Sequence, residues 1–211
     1  MVAVMKHWMV CGLTEIGGDD QHTAGRRLLR RLLAAEGLDA GQAIALKDGK
    51  PFLTPHSTEG SAPAISIAHS AHLAAAAICR IGLVGIDLEL HNSTRNFAGI
   101  AETYFGPQEA AQVTAGGMRA FYRIWTLREA IGKATGEGLL TDRRDRIINA
   151  APYTGAWVSD DRQWLLAHIE PRAGISLALA IQPDKDTDTS RWSLDAIQWP
   201  VGLAMPAISK P

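Results

Sequence analysis

The sequence predicts an α+β fold built as a pseudo-twofold pair of similar α+β subdomains, on three observations. First, 211 residues that are 46% hydrophobic and 20% charged, with a formal net charge of −1, describe a globular chain able to bury one large core or two small ones. Second, short apolar runs alternate with amphipathic helical stretches. Third, the second half echoes the first. Ile65-Ser-Ile-Ala-His69, a turn and Leu73-Ala-Ala-Ala-Ala-Ile78 reappear as Trp164-Leu-Leu-Ala-His168, a turn and Leu177-Ala-Leu-Ala-Ile181. A helix precedes the hairpin in each half. The division falls near Arg80–Gly82, giving subdomains over 1–81 and 82–211.

The elements follow in order. Met5–Cys11 is apolar and reads as a first strand. Gly17-Gly18-Asp19-Asp20 is a turn. From His22 to Glu36, Leu28, Leu29, Leu32 and Leu33 recur at helical spacing, with Arg26, Arg27, Arg30 and Arg31 between them. This amphipathic helix ends at Gly37. Its arginines are a solvated face or a ridge for an acidic partner. Ala64–Ala68 and Leu73–Ile78 read as a hairpin, and Leu83–Leu90 as another strand. Gln108–Thr114 and Met118–Ala134 read as two helices. Trp164–Ile169 and Ile175–Ile181 read as a second hairpin. Gln182–Ser190 is polar and reads as a loop, and the residues from Pro200 onward are expected to fray.

Composition excludes several classes. The Leu28–Leu33 and His72–Ile78 runs are too short to span a bilayer, and the N-terminus lacks a signal-peptide pattern. Residues 1–80 hold eight Lys/Arg against seven Asp/Glu, so no basic half is hidden that would grip nucleic acid. Cys11 and Cys79 make neither a disulfide framework nor a metal-ligand spacing, which predicts a reducing, cytoplasmic setting.

The segment Gly82-Leu-Val-Gly-Ile-Asp-Leu-Glu-Leu90 carries the sharpest chemistry. On a strand, Val84, Ile86, Leu88 and Leu90 share one face, and Asp87 and Glu89 share the other, with Gly85 leaving space beside them. Two adjacent carboxylates repel unless a cation lies between them, and such hard oxygen ligands suit Mg²⁺. The plain alternative is an exposed strand end with two solvated acids. Glu129 and Lys133 sit four apart on the helix below Trp125, either as an ordinary salt bridge or as a third carboxylate and a phosphate-binding cation. Gly49 permits a tight turn, Pro51 stiffens its exit, and Lys50 is presented on it. His69 ends a strand beside Ser70, a place where a lone histidine is usually structural.

In order and spacing, these segments resemble the 4′-phosphopantetheinyl transferase superfamily. They are Gly49-Lys50-Pro51, Ser66-x-x-His69-Ser70, Gly85-Ile-Asp87-x-Glu89, and Trp125-Thr-x-Arg-Glu129-Ala-x-x-Lys133. The length resembles the two-half, surfactin-synthetase-activating type, which is monomeric. The resemblance implies that Asp87, Glu89 and Glu129 hold Mg²⁺ against the pyrophosphate of coenzyme A. It implies that Lys133 binds that pyrophosphate and helps the leaving group. Lys50 and His69 would contact phosphates of the 3′-phospho-ADP moiety, and Gly49, Pro51 and Ser70 would shape that pocket. Asp87, Glu129 and Lys133 would be catalytic. The departures are Ala68 for the usual serine, Arg128 for the usual lysine, and Gln21-His22 where an arginine commonly stands.

The expected function is transfer of the 4′-phosphopantetheine arm of coenzyme A to a serine of an apo acyl- or peptidyl-carrier protein. Arg119, Arg123 and the arginines at 26–31 are candidates for meeting the carrier's acidic helix. The alternatives are a catalytically silent module that binds coenzyme A or a carrier, and a Mg²⁺-dependent phosphohydrolase.

Overall fold

Two four-stranded sheets stack face to face, each with a helix on its outer surface. They are seen in a computed structural model that describes residues 9–38, 44–47, 50–53, 62–137 and 154–198. The first sheet holds β1 (Met9–Glu15), β4 (Ala64–Ser70), β5 (Leu73–Cys79) and β10 (Ile197–Gln198), in the order β10-β1-β5-β4. The second holds β6 (Gly82–Leu90), β7 (Gly155–Val158), β8 (Leu165–Ile169) and β9 (Ile175–Pro183), in the order β6-β9-β8-β7. A separate hairpin joins β2 (Ile44–Lys47) to β3 (Lys50–Leu53). All pairings are antiparallel except β1 with β10. In both sheets the opening strand lies beside the last strand of its hairpin.

The first strand differs from the apolar run that suggested it. It spans Met9–Glu15 and pairs with β5 from Met9↔Cys79 to Glu15↔Leu73. Ladder hydrogen bonds come from the backbone, so the polar Thr14 and Glu15 continue the strand beyond Cys11. Residues 5–8 lie outside the described residues. After the turn, α1 (Gln21–Ala35) starts at Asp20, whose Oδ1 accepts from the backbone N–H of His22 and Thr23 at 3.0 Å each. Leu28, Leu29, Leu32 and Leu33 of α1 pack on Val10, Ile65, Ala76 and Ile78 of the first sheet. Gly37, at φ 67°, lets the chain leave the helix.

The facing surfaces of the sheets form one shared core. Cys11, Ala68, Ala75 and Ala77 meet Val84, Ile86, Leu88, Leu165, Leu177 and Leu179 there. The apolar face read from β6 is thus the face that packs. The outer face of the second sheet is covered by α3 (Pro107–Thr135), through Leu127, Ala130, Ile131 and Ala134 on Leu166, Ala178 and Ala180.

The predicted pair of helices is present as the two segments of α3, which meet at Gly117, whose φ 61° and ψ −146° suit only glycine. The break reverses the chain. A straight helix would separate Glu109 from Arg128 by about 28 Å. Instead Arg128 Nε donates to Glu109 Oε2 at 2.9 Å. α2 (Phe97–Tyr104) and β7 were not expected: eight and four residues are too short for periodicity to show. The predicted loop after Ile181 begins with two further residues of β9 and includes a 3₁₀ turn over Thr189–Arg191. No helix among the described residues is long and apolar enough to cross a membrane.

Candidate functional site

β6 is an edge strand, and its outward side chains meet α3. Gly85 faces the helix backbone directly. A Cβ there would lie 1.8 Å from the Ala130 carbonyl oxygen, so the space beside the acids belongs to α3. That close approach brings Asp87 and Glu89 under the last turns of α3. β4 supports the other side of β6. Ser66 Oγ accepts from the Ile86 N–H, and Ser70 Oγ from the Leu90 N–H, each at 3.1 Å. Two serines four residues apart thus satisfy edge donors that no strand pairs.

Asp87 is 5% exposed. Its Oδ1 accepts from Lys133 Nζ at 2.7 Å, while its Oδ2 is buried with no hydrogen-bond partner. Burial pushes its carboxyl up to about 7, against the pull of Lys133. Lys133 therefore pairs across the site with Asp87. The ordinary i,i+4 bridge to Glu129 does not form, although Glu129 lies close enough to raise Asp87 further. Burial also raises Glu129, opposed by Lys133, with Glu89 adding repulsion. Glu89 is held at both oxygens: Oε1 accepts from Trp125 Nε1 at 3.1 Å and Oε2 from Ser70 Oγ at 3.2 Å.

The four residues read from β6 and the long helix therefore converge. Among the described residues, no three His, Cys, Asp or Glu side chains are gathered tightly enough to form a finished metal site. The chemistry nonetheless fits a hard divalent cation. Three carboxylates act on one another in a half-buried setting, and the most buried of them keeps an unpartnered oxygen.

The residues from the first half are brought to the same junction in different ways. Ser70 faces β6, and its contact with Glu89 is a direct link into the site. His69, the next residue, faces the opposite way and is exposed, edge-on to His22 with ring centroids 5.2 Å apart. Burial, His22 and Lys133 together lower its pKa. Lys50 reaches over to donate to the Ala134 carbonyl, beside Lys133 in sequence, and burial lowers its pKa. It thus sits at the negative end of α3. Pro51 continues β3, half-buried. Gly49 lies outside the described residues.

One side chain at the site was missed, and the partners of three other arginines were not legible in the sequence. Arg95, after β6, stacks on Trp125 with its Cζ 4.7 Å from the ring centroid, and it lowers the pKa of Glu129. Only the tertiary fold shows it, because nothing in its local sequence marks it. Arg128 does not face the acids: it pairs with the buried Glu109. Arg123 was a candidate for meeting a carrier, but it is buried and bonds Gln112 at 3.3 Å, so it cannot present charge to a partner. Arg119 is exposed and engaged bidentately by Glu170 at 2.6 and 2.9 Å.

Residues 83–180, which include all four convergent positions, match the profile of the 4′-phosphopantetheinyl transferase superfamily. The chain is 30% identical to the 4′-phosphopantetheinyl transferase HetI of Nostoc sp. over 166 residues, covering 75% of this chain and 69% of that protein. It is 33% identical over 129 residues to slr0495 of Synechocystis sp., which carries the same transferase designation provisionally. That match covers 57% of this chain and 52% of the relative.

Proposed function

Because this chain belongs to the 4′-phosphopantetheinyl transferase superfamily and is an enzyme of that kind, we propose that it moves the 4′-phosphopantetheine arm of coenzyme A to a carrier serine. The acceptor is an apo acyl- or peptidyl-carrier protein, and the second product is adenosine 3′,5′-bisphosphate. The observation that carries this reading is the buried Asp87–Lys133 pair, with Glu89 and Glu129 beside it, at the junction of β4, β6 and α3.

Asp87, Glu89 and Glu129 would hold Mg²⁺. When bound, that ion supplies Lewis-acid polarisation and a template for the pyrophosphate. The remaining work falls to the chain. Glu129, kept basic by burial, takes the proton of the carrier serine. The serine oxygen then bonds to the β-phosphorus of coenzyme A as the bond from that phosphorus to the bridging oxygen breaks. Lys133 neutralises charge on the departing adenosine 3′,5′-bisphosphate. Trp125 fixes Glu89 through its indole N–H, which keeps the acids oriented. Lys50 and His69, with Ser70, Pro51 and Gly49 shaping the pocket, serve the 3′-phospho-ADP end. Positioning and charge neutralisation supply most of the rate, as in phosphoryl transfer generally. We read the two halves, 1–81 and 82–211, as related subdomains of a monomer working in the cytoplasm. Arg27 is engaged by Asp19 as Arg119 is by Glu170, so the exposed Arg30 and Arg31 are the arginines left to meet a carrier.

The test incubates the chain with coenzyme A, Mg²⁺ and an apo-carrier and reads the carrier by intact mass. Addition of one phosphopantetheine, abolished in Asp87→Ala, is the expected result. Coenzyme A binding without transfer would indicate a silent module, and coenzyme A consumed without a carrier would indicate a hydrolase.

A further inference from the structure

We propose that Ser66 is a positioning residue of the transfer reaction: its buried hydroxyl docks β6 against the first sheet one residue before Asp87, and so sets the acids for the cation. This rests on the reading above that Asp87, Glu89 and Glu129 hold Mg²⁺.

β4 and β6 are edge strands of different sheets, and among the described residues no backbone ladder joins them. Two hydroxyls hold them side by side instead. Ser66 accepts from the Ile86 N–H and Ser70 from the Leu90 N–H, each at 3.1 Å and each across 20 positions of sequence. The equal offset means that the strands run in the same direction and in register. Alternate residues of a strand turn their N–H groups to one side, so Ile86, Leu88 and Leu90 all point towards β4. Ala68 stands between the two serines, opposite Leu88, and its methyl group can accept nothing. The two serines are therefore the hydroxyl anchors of this junction.

Their work is divided. Ser70 also donates to Glu89 Oε2 at 3.2 Å, so it serves the Glu89 end. Ser66 is 3% exposed and serves the Asp87 end. It lies between Ala64 and Ala68, on the face of β4 that enters the shared core. A hydroxyl there costs free energy unless it is bonded, and the Ile86 N–H supplies the bond. At Asp87 the other sides of β6 are already fixed. β9 pairs Asp87 with Ala178, and Lys133 grips its carboxylate from α3. Ser66 closes the remaining side, and it ties the half that carries Lys50 and His69 to the half that carries the acids. A strand shift of about 1 Å is enough to misplace reacting groups at large cost in rate.

The experiment compares Ser66→Ala and Ser66→Thr with the wild type, as full chains, by calorimetric titration with Mg²⁺ and by transfer kinetics. Ile65→Val is the stability control, because Ile65 faces α1 from the other side of β4. Ser66→Ala should bind Mg²⁺ about tenfold more weakly and lose about tenfold to a hundredfold in kcat. Its KM for coenzyme A at saturating Mg²⁺ should stay within about twofold of the wild type. Ser66→Thr keeps the hydroxyl and should recover both losses, while Ile65→Val should melt lower and show neither. If Ser66→Ala does not fold, Ser66→Cys takes its place, with sulfur as a weak acceptor, and should show the same losses in smaller measure. A serine variant that only melts lower, as Ile65→Val does, makes Ser66 structural and overturns the inference. So does Ser66→Thr as impaired as Ser66→Ala. In either case, loss of Mg²⁺ binding in Asp87→Ala leaves the metal reading standing. If Asp87→Ala binds Mg²⁺ as the wild type does, the metal reading fails and the inference with it.

Discussion

Asp87 sits where burial opposes its charge, and that has consequences for stability as well as catalysis. Its carboxyl is pushed to about 7 in the fold, above the ordinary 3.8, first by burial. A carboxyl raised by folding favours the protonated folded state. Its contribution is full below about pH 4 and is lost as pH rises towards about 7. Asp87→Asn should therefore melt higher than the wild type in chelator near pH 8, and the gap should close near pH 4. Mg²⁺ should raise the melting temperature of the wild type and not of the variant. Lys133 offers a second test. An exposed helix pair with Glu129 would contribute about 0.3–0.5 kcal/mol and leave the chemistry alone. Paired instead with Asp87, Lys133 should cost 10²–10³ in kcat when changed to alanine, about 3–4 kcal/mol of barrier. Glu129→Gln should lose rate on the same scale. Either variant with kcat within threefold of the wild type would return the pair to a structural role.

At the scale of the element, α3 is placed by two glycines for different reasons. Gly85 lets the helix backbone touch β6, with the Ala130 oxygen 1.8 Å from where a Cβ would be. Backbone cannot yield as a flexible side chain does. Gly85→Ala should therefore cost about 3 kcal/mol or more, a fall of about 6–12 °C in melting temperature for a chain this size. It should lower kcat as well, because the same contact sets Lys133 over Asp87. Gly117 has nothing within 4 Å of its added Cβ, so its alanine variant pays only in backbone conformation, about 1–3 kcal/mol. The reversal at Gly117 is clamped by Arg128 on Glu109, whose side chain is fully buried. Arg128→Met removes the cation that neutralises that buried carboxylate and should cost about 3–5 kcal/mol, whereas Arg128→Met with Glu109→Leu should recover much of the loss. Chemical denaturation of the single and the double variant checks this; a double variant no better than the single would show that the clamp is not the cause.

For the whole molecule, the shared core decides behaviour. The inner faces of both sheets contribute to one apolar cluster, and β10 returns from the end of the described chain to pair with β1. The two halves should therefore unfold together. Urea denaturation followed by tryptophan fluorescence and by far-ultraviolet dichroism should give coincident single transitions. Five of the six tryptophans, Trp125, Trp157, Trp164, Trp192 and Trp199, lie in the second half, so fluorescence reports mainly on that half, while dichroism reports on both. Separated midpoints would mean that the halves fold as independent units.

Much of this architecture was legible in residue pattern. Strand alternation assigned the core and site faces of β6, because a period of two leaves no other arrangement once Val84, Ile86 and Leu88 must be buried. The leucines of α1 named its buried stripe, and the repeated hairpins pointed to two similarly ordered sheets. Short elements were not legible, since α2, β2, β3 and β7 have too few residues to show a period. Nor was pairing across space. The sequence offered Lys133 a partner four residues back, yet Asp87 holds it, because Gly85 draws α3 down onto β6. His69 and His168 occupy matching places in the internal echo. One lies exposed against His22 and the other is wholly buried in β8. Local pattern determined the elements, their faces and the acid and base types available for chemistry. Which of those groups meet, which are buried and which stay open to a substrate was decided only by the packing of one element on another, since burial and charge pairing depend on neighbours distant in the chain.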